Sequence, residues 1–332
     1  MKILLFSIFA ATITTILCSS ALIPSFSFYS VFGMGHITLQ PSQSGVNSTK
    51  VVILAFDDST EGQFTLAKPV LDKYGFKGSF FTVCNFVSGT KDHHDKTRMT
   101  WNNIKTLQKQ GHDIESHTMT HTNLNMKSQK DLIYEIGGSK QCLLAHGINS
   151  TVFAYPASTG HENATVVNVV AKYYDLARTG DAPMSFFHCD GYKIENNCTP
   201  FNSKNHVKYE NRYDIMNWSD RPKPETPGQL AIPLDNAQMY SQFIQEVNIQ
   251  DKFNKNGCIN AIPILVYHVF IKDKIHDYLP NGSFTDIGLF SDEMKYLHEH
   301  GFKVLKMSDL GYNIQSKYIY IKGPTNALLK NC

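Results

Sequence analysis

Four times the chain repeats one phrase, a helix-like stretch, a glycine and then an apolar run: KYGFKGSFF, KQGHDIESH, AHGINSTVFAYP and HEHGFKVLKM. Glycine just past a helix supplies the left-handed turn that sends the backbone into a following strand. Helix alternating with strand in this way requires parallel strands, in an open sheet or in one closed into a barrel. The rhythm predicts helices over 64–73, 101–110, 128–145, 236–248 and 285–300. It predicts strands over 51–56, 79–83, 112–115, 152–155, 264–267 and 302–306. It breaks between Thr179 and Pro233, which reads as an irregular insertion of the kind that shapes a binding face. The domain then spans about 51–310, and 311–332 is a weakly patterned C-terminal tail.

The first strand, VVILAFDD over Val51–Asp58, carries six apolar residues straight into two carboxylates. A continuous apolar run suits a strand buried on both faces. Adjacent carboxylates stay ionised most easily beside a cation or strong hydrogen-bond donors. Neighbours on a strand point opposite ways, so Asp57 and Asp58 are free to take different roles. A strand ending in an ordinary Asp-Asp-Ser turn accounts for the same letters.

Composition narrows the class. Lys and Arg total 31 against 29 Asp and Glu, and no basic run is present, which argues against nucleic-acid binding. Residues 1–23 pair one lysine with an apolar run that ends in small residues. They read as a secretory signal peptide, or else as an uncleaved N-terminal anchor. Residues 24–50 read as a linker. Beyond Cys18 there are six cysteines, an even number that permits disulfides in an exported chain, with Cys189 and Cys198 the best-placed pair. Asn-x-Ser/Thr sequons at Asn47, Asn149, Asn163, Asn197, Asn217 and Asn281 agree with a secreted or extracytoplasmic location.

Further polar residues gather where proposed strands end. In SHTMTH, His117 and His121 stand four apart, a spacing that lets both imidazoles grip one metal ion and equally suits a solvent-facing pair. His93, His94 and Asp95 form a rival cluster in a polar loop. In FAYPAS, Pro156 fixes its own φ and pushes Tyr155 toward an extended shape, leaving the Ala157 amide free to face a ligand oxygen. His268 follows the apolar run PILVY, and Arg178 ends LAR. In a closed α/β barrel the C-terminal strand ends share one face, where catalytic groups collect.

The order FDD, SHTMTH, a strand leading into Tyr-Pro, and a late apolar strand ending in His resembles the polysaccharide deacetylases, the NodB-homology family of carbohydrate esterase family 4. The resemblance implies a distorted (β/α)7 barrel that removes acetyl groups from sugars with a divalent metal. It implies Asp57 as general base, Asp58, His117 and His121 as ligands for Zn²⁺ (or Co²⁺ or Ni²⁺), and His268 as the acid that protonates the leaving amine. It also implies Ala157 N–H as an oxyanion donor and Tyr155 at the substrate. The family's usual arginine in the third motif is here Ala154, so Arg178 is expected to reach over and steady Asp57. For the fourth motif, an Asp and a Trp that wall the pocket, the candidates are Asp214 and Trp218. The FAYP turn resembles the branch acting on poly-N-acetylglucosamine, which makes an N-acetylated polysaccharide or cell-surface glycan the expected partner. Two readings stay beside this one: an O-acetyl carbohydrate esterase using the same site, and a non-catalytic glycan-binding barrel.

Overall fold

The computed structural model describes residues 50–89, 97–180, 182–187, 211–222, 231–273, 278, 284–315 and 317–323. The signal-peptide or anchor stretch at 1–23, the linker up to residue 49, the His93–His94–Asp95 cluster and the Cys189–Cys198 pair lie outside the described residues. Among the described residues, no helix is long and apolar enough to cross a membrane.

Nine strands form the main sheet: β1 (Val51–Asp57), β2 (Ser79–Thr82), β3 (Asp113–Ser116), β4 (Val152–Ala154), β5 (Leu176–Thr179), β6 (Ile215–Met216), β7 (Trp218–Ser219), β8 (Ile264–Tyr267) and β9 (Lys303–Leu305). Their order is β6-β5-β4-β3-β2-β1-β8-β7, and β9 pairs the start of β1 while β2 pairs its end. Every pairing in this sheet is parallel. The two edge strands are separated in sequence only by Asn217, so the sheet is a nearly closed barrel.

The stretch read as an irregular insertion therefore supplies two strands of the sheet. Each is two residues long, too short to carry a period of two, and so leaves no pattern to read. The tail is corrected as well. Leu310–Asn313 and Tyr318–Ile321 pair as an antiparallel hairpin, and Leu310 and Ile319 are buried in the core.

Helices α1 (Lys68–Tyr74), α2 (Trp101–Lys109), α3 (Gln129–Leu132), α4 (Ser139–Ala145), α5 (Ala164–Tyr173), α6 (Asn236–Asn248) and α7 (Ile287–Glu299) supply the crossovers. α1 ends at Gly75 with φ 70°, a left-handed turn that L side chains resist. Asp235 caps α6 and Thr100 caps α2, each with a reciprocal capping box. α3 and α4 are halves of one helical run, joined through a π-turn at Ile133–Gly138.

β1 is buried on both faces, and its alternate residues divide between two cores. Val52, Leu54 and Phe56 pack beneath the helices, with Phe80, Leu71, Trp218 and Phe290. Val51, Ile53 and Ala55 fill the barrel interior with Phe81, Val152, Ala154, Leu176, Ile264 and Val266. Each fully buried side chain of this size contributes on the order of 1.5–3 kcal/mol. Cys84, just after β2, is disulfide-bonded to Cys142 on α4.

Candidate active site

The parity that sorts the core also aims the polar groups. Asp57 continues the interior series of β1, and Arg178 and His268 continue the interior positions of Leu176 on β5 and of Ile264 and Val266 on β8. Side chains far apart in sequence thus converge above the barrel axis. Asp57 is buried; Arg178, also buried, donates from Nη2 to Asp57 Oδ1 and from Nη1 to Asn217 Oδ1 at 3.1 Å. Its guanidinium carbon lies 4.0 Å from the Phe81 ring centroid. On the other carboxylate oxygen, Asp57 Oδ2 is 3.8 Å from His117 Nε2 and 3.9 Å from His268 Nε2.

Asp58 would point away from the barrel if the strand simply continued. Its φ of 74° breaks the alternation and brings its carboxylate back toward the histidines. Asp58 Oδ1 lies 3.6 Å from His117 Nε2 and 3.3 Å from His121 Nε2. The ligand atoms of Asp58, His117 and His121 all fall within 4.8 Å of one another. His121 also has a left-handed backbone, φ 57°, with its N–H donating to Thr118 Oγ1 at 2.9 Å.

Two observations test whether this group suits a cation. Asp58 Oδ1 is buried and has no hydrogen-bond partner among the described residues, a costly arrangement unless something electropositive is held against it. His117 Nδ1 lies 2.9 Å from the carbonyl of Ala154, which can only accept, so the hydrogen sits on Nδ1 and Nε2 presents its lone pair to the site. Burial, with His121 next, pushes the His117 imidazole down to about 3, keeping it neutral. One carboxylate and two imidazoles are the donor set of a catalytic zinc-type site with open positions.

Several residues that build the site had no motif to announce them. Gln63, fully buried, donates from Nε2 to the carbonyl of Asp57 and to that of His268 at 2.8 Å. Thr60 Oγ1 donates to the same His268 carbonyl at 2.7 Å, so the ends of β1 and β8 are tied together. Arg98 donates to the Asp58 carbonyl at 2.8 Å and stacks on Phe86, whose ring centroid is 6.1 Å from that of His121. Asn217 reads as a glycan acceptor in sequence but is buried, bonded to Arg178 and to the Gly180 carbonyl.

The candidates for walling the pocket lie elsewhere. Trp218 is fully buried in the layer beneath the helices, opposite Leu265, and offers no face to a sugar. Asp214 accepts from His161 Nδ1 at 2.9 Å rather than from His268, and burial raises its carboxyl above the ordinary range. Tyr155 is buried against Leu124, Phe153 and Val166, away from the barrel interior, with its N–H donating to the Arg178 carbonyl at 3.1 Å. Ala157 is exposed, with φ 48° and ψ 32°, in a turn closed by Ser158 N–H to Tyr155 O and Thr159 N–H to Pro156 O.

Comparison with known proteins finds similarity over part of the chain. Residues 44–176 match the family model described as polysaccharide deacetylase. That stretch holds Asp57, Asp58, His117, His121 and Ala157, and ends before Arg178 and His268. A gellan lyase of Bacillus sp is 29% identical over 134 residues, covering 40% of this chain and 5% of the relative. The "Putative polysaccharide deacetylase YxkH" of Bacillus subtilis (strain 168) is 30% identical over 137 residues, covering 39% of this chain and 47% of the relative. The chain thus spans less than half the length of either relative. Among solved structures, the Streptococcus pyogenes deacetylase PplD in complex with acetate is 26% identical, over 40% of this chain and 57% of that one, at a TM-score of 0.37. A family 4 carbohydrate esterase from Streptomyces lividans, also in complex with acetate, is 13% identical over 82% of this chain and 98% of that one, at 0.44. The stretch that is similar to polysaccharide deacetylases, residues 44–176, is thus the one that holds both carboxylates, Asp57 and Asp58, and the His117–His121 pair of the candidate site.

Proposed function

We propose that the protein is a metal-dependent deacetylase that hydrolyses N-acetyl groups on an extracellular polysaccharide of the N-acetylglucosamine type. The observation that carries the reading is the convergence of Asp58, His117 and His121 within 4.8 Å, with Asp57 and His268 beside them. Asp58 Oδ1, His117 Nε2 and His121 Nε2 would hold the ion. A divalent metal bound there, Zn²⁺ being the best fit to two imidazoles and a carboxylate, acidifies water and polarises an acyl oxygen.

The chain's own groups supply the rest. Asp57, fixed by Arg178 through Oδ1, keeps Oδ2 toward the open side to take the proton of the attacking water. His268 is the more exposed partner on that side, with a quarter of its side chain open, and gives a proton to the departing nitrogen as the C–N bond breaks. Gln63 and Thr60 hold the backbones of base and acid in register. The Ala157 amide, on an exposed left-handed turn at the end of β4, donates to the developing oxyanion. Export is supported by the N-terminal apolar stretch and by the Cys84–Cys142 disulfide, a bond that persists in oxidising compartments.

Acetate release from N-acetylglucosamine oligomers, followed with and without chelator, tests the proposal. Release that stops on chelation and returns with zinc or cobalt is the expected result. Oligomer binding that ignores chelator, with no acetate formed, refutes it and leaves a glycan-binding barrel.

A further inference from the structure

Between the two histidines the chain runs Thr118-Met119-Thr120, and groups from two other elements grip this short loop. On one side, Cys84 N–H donates to Thr118 O at 3.2 Å and Asn85 N–H to Met119 O at 2.9 Å. On the other stands Glu135, 4% exposed, in the π-turn between α3 and α4. Its Oε2 accepts from Met119 N–H at 3.2 Å and Thr120 N–H at 2.9 Å, and its Oε1 from Thr120 Oγ1 at 2.6 Å. Met119 N–H also reaches the backbone carbonyl of Glu135 at 3.1 Å, a shared donor that draws the loop onto the turn.

The local chemistry favours this approach. A π-turn widens the helix by one residue and recurs at functional sites. Gly138, at its end, lies beside the loop, where a Cβ would be in van der Waals contact with Met119 Cγ at 3.4 Å. The Cys84–Cys142 disulfide then joins the strand-side grip to the same helical run that carries Glu135. The loop needs such support, because Thr118 and His121 hold left-handed backbones, φ 70° and 57°, that non-glycine residues leave unless their surroundings over-determine them. Hydrogen bonds to a carboxylate are the stronger kind, and Glu135 accepts three of them from Met119 and Thr120, two of the three residues between the ligands.

We propose that Glu135 is a positioning residue for the metal centre: its carboxylate holds the 118–120 backbone in the one shape that brings His117 and His121 onto a common ion. The inference rests on the metal reading of Asp58, His117 and His121 given above. The Glu135 carboxylate bonds to Met119 and Thr120 and not to a ligand atom, so it acts through the loop.

The test uses the full chain, with zinc affinity measured by competition against a chromophoric chelator and coordination read from the visible spectrum of the cobalt form. Glu135→Gln is expected to weaken zinc binding by about 10–100-fold, the usual effect of losing an outer partner of a metal ligand, and to change the cobalt bands. Thr120→Val, which removes only the Oε1 bond, is expected to move both in the same direction by less. If Glu135→Gln does not fold, Thr120→Val decides alone. Wild-type zinc affinity and cobalt bands in the folded variants, with only the melting temperature of the metal-free protein lowered, would mean a packing role and overturn the proposal. His121→Ala separates the two layers. Unchanged zinc affinity in that variant sinks the metal reading itself, whereas loss there with no change at Glu135 and Thr120 overturns only the role of Glu135.

Discussion

Replacing Arg178 by methionine asks how Asp57, the proposed base, is held. Both partners are 3% exposed, so the substitution keeps most of the stem's volume and strands the Asp57 carboxylate without its cation. Removing one member of a buried pair costs about 3–5 kcal/mol, because the survivor stays desolvated and uncompensated. The guanidinium's stack on Phe81 and its bond to Asn217 are lost in the same step. Asp57→Asn alone is expected to destabilise less, since the amide still accepts from the guanidinium. The double variant should recover part of the sum, with a coupling of about 2–3 kcal/mol in the cycle. Urea unfolding of the chelator-treated protein at neutral pH measures all four corners. Acetate release supplies a second cycle. If Asp57 is the general base proposed above, its loss should lower the rate by roughly 10²–10⁴-fold. Because Arg178 acts through Asp57, the double variant should be no slower than Asp57→Asn. Additive stability losses, or an Arg178→Met enzyme with full activity, would show that the contact does not steady the base.

Three other outcomes follow from the structure. Gln63→Leu leaves the Asp57 carbonyl without its Gln63 donor, and should cost about 1–3 kcal/mol in urea unfolding while slowing acetate release; unchanged values in both would remove Gln63 from the site. Cys84 and Cys142 are 58 residues apart, so replacing both with serine should lower unfolding free energy by about 4 kcal/mol on the chain-entropy estimate, and a variant as stable as the parent refutes it. Burial raises the Asp220 carboxyl from 3.8 to about 7, with Thr285 Oγ1 on Oδ2 opposing the shift. The folded state then binds this proton more tightly than the unfolded chain, so the associated stability is full below pH 4 and fades as pH climbs toward 7. Asp220→Asn should therefore gain on the parent between pH 5 and 8 in denaturant titrations, and a constant difference across that range counts against a proton there.

Much of the site was legible because its residues end strands that announce themselves. Val51–Phe56 is a continuous apolar run, and the glycines at 75, 111, 147 and 301 mark where helices give way to strands. The positions of Asp57, His117 and His268 follow from those boundaries and from the alternation of side chains. Where boundaries were hidden, the reading failed. Trp218 was a candidate for the pocket wall by resemblance to the family's fourth motif, and with residues 179–233 read as an irregular insertion nothing fixed the direction of its side chain. Once Trp218–Ser219 is a strand beside β8, its parity sends the indole under the helices. Asn217 looked like a glycan acceptor from its sequon letters alone, and nothing in a sequon reveals burial. Gln63 and Glu135 were illegible for a different cause. A lone polar residue within a helical stretch looks solvated until the partner it faces, on a distant segment, is known.

Six of the eight non-glycine residues with positive φ, among those described, are Asp58, Ser59, Thr118, His121, Ala157 and Ser158. All lie in the turns that carry the candidate catalytic and ligand groups, where each such backbone stores about 1–3 kcal/mol. Selection for heat resistance and selection for turnover would pull these turns in opposite directions. Glycine at Ser59 or Thr118 relaxes the fold and loosens the grip on the reacting groups, so thermostable variants recovered by screening for expression alone should be enriched here and slow.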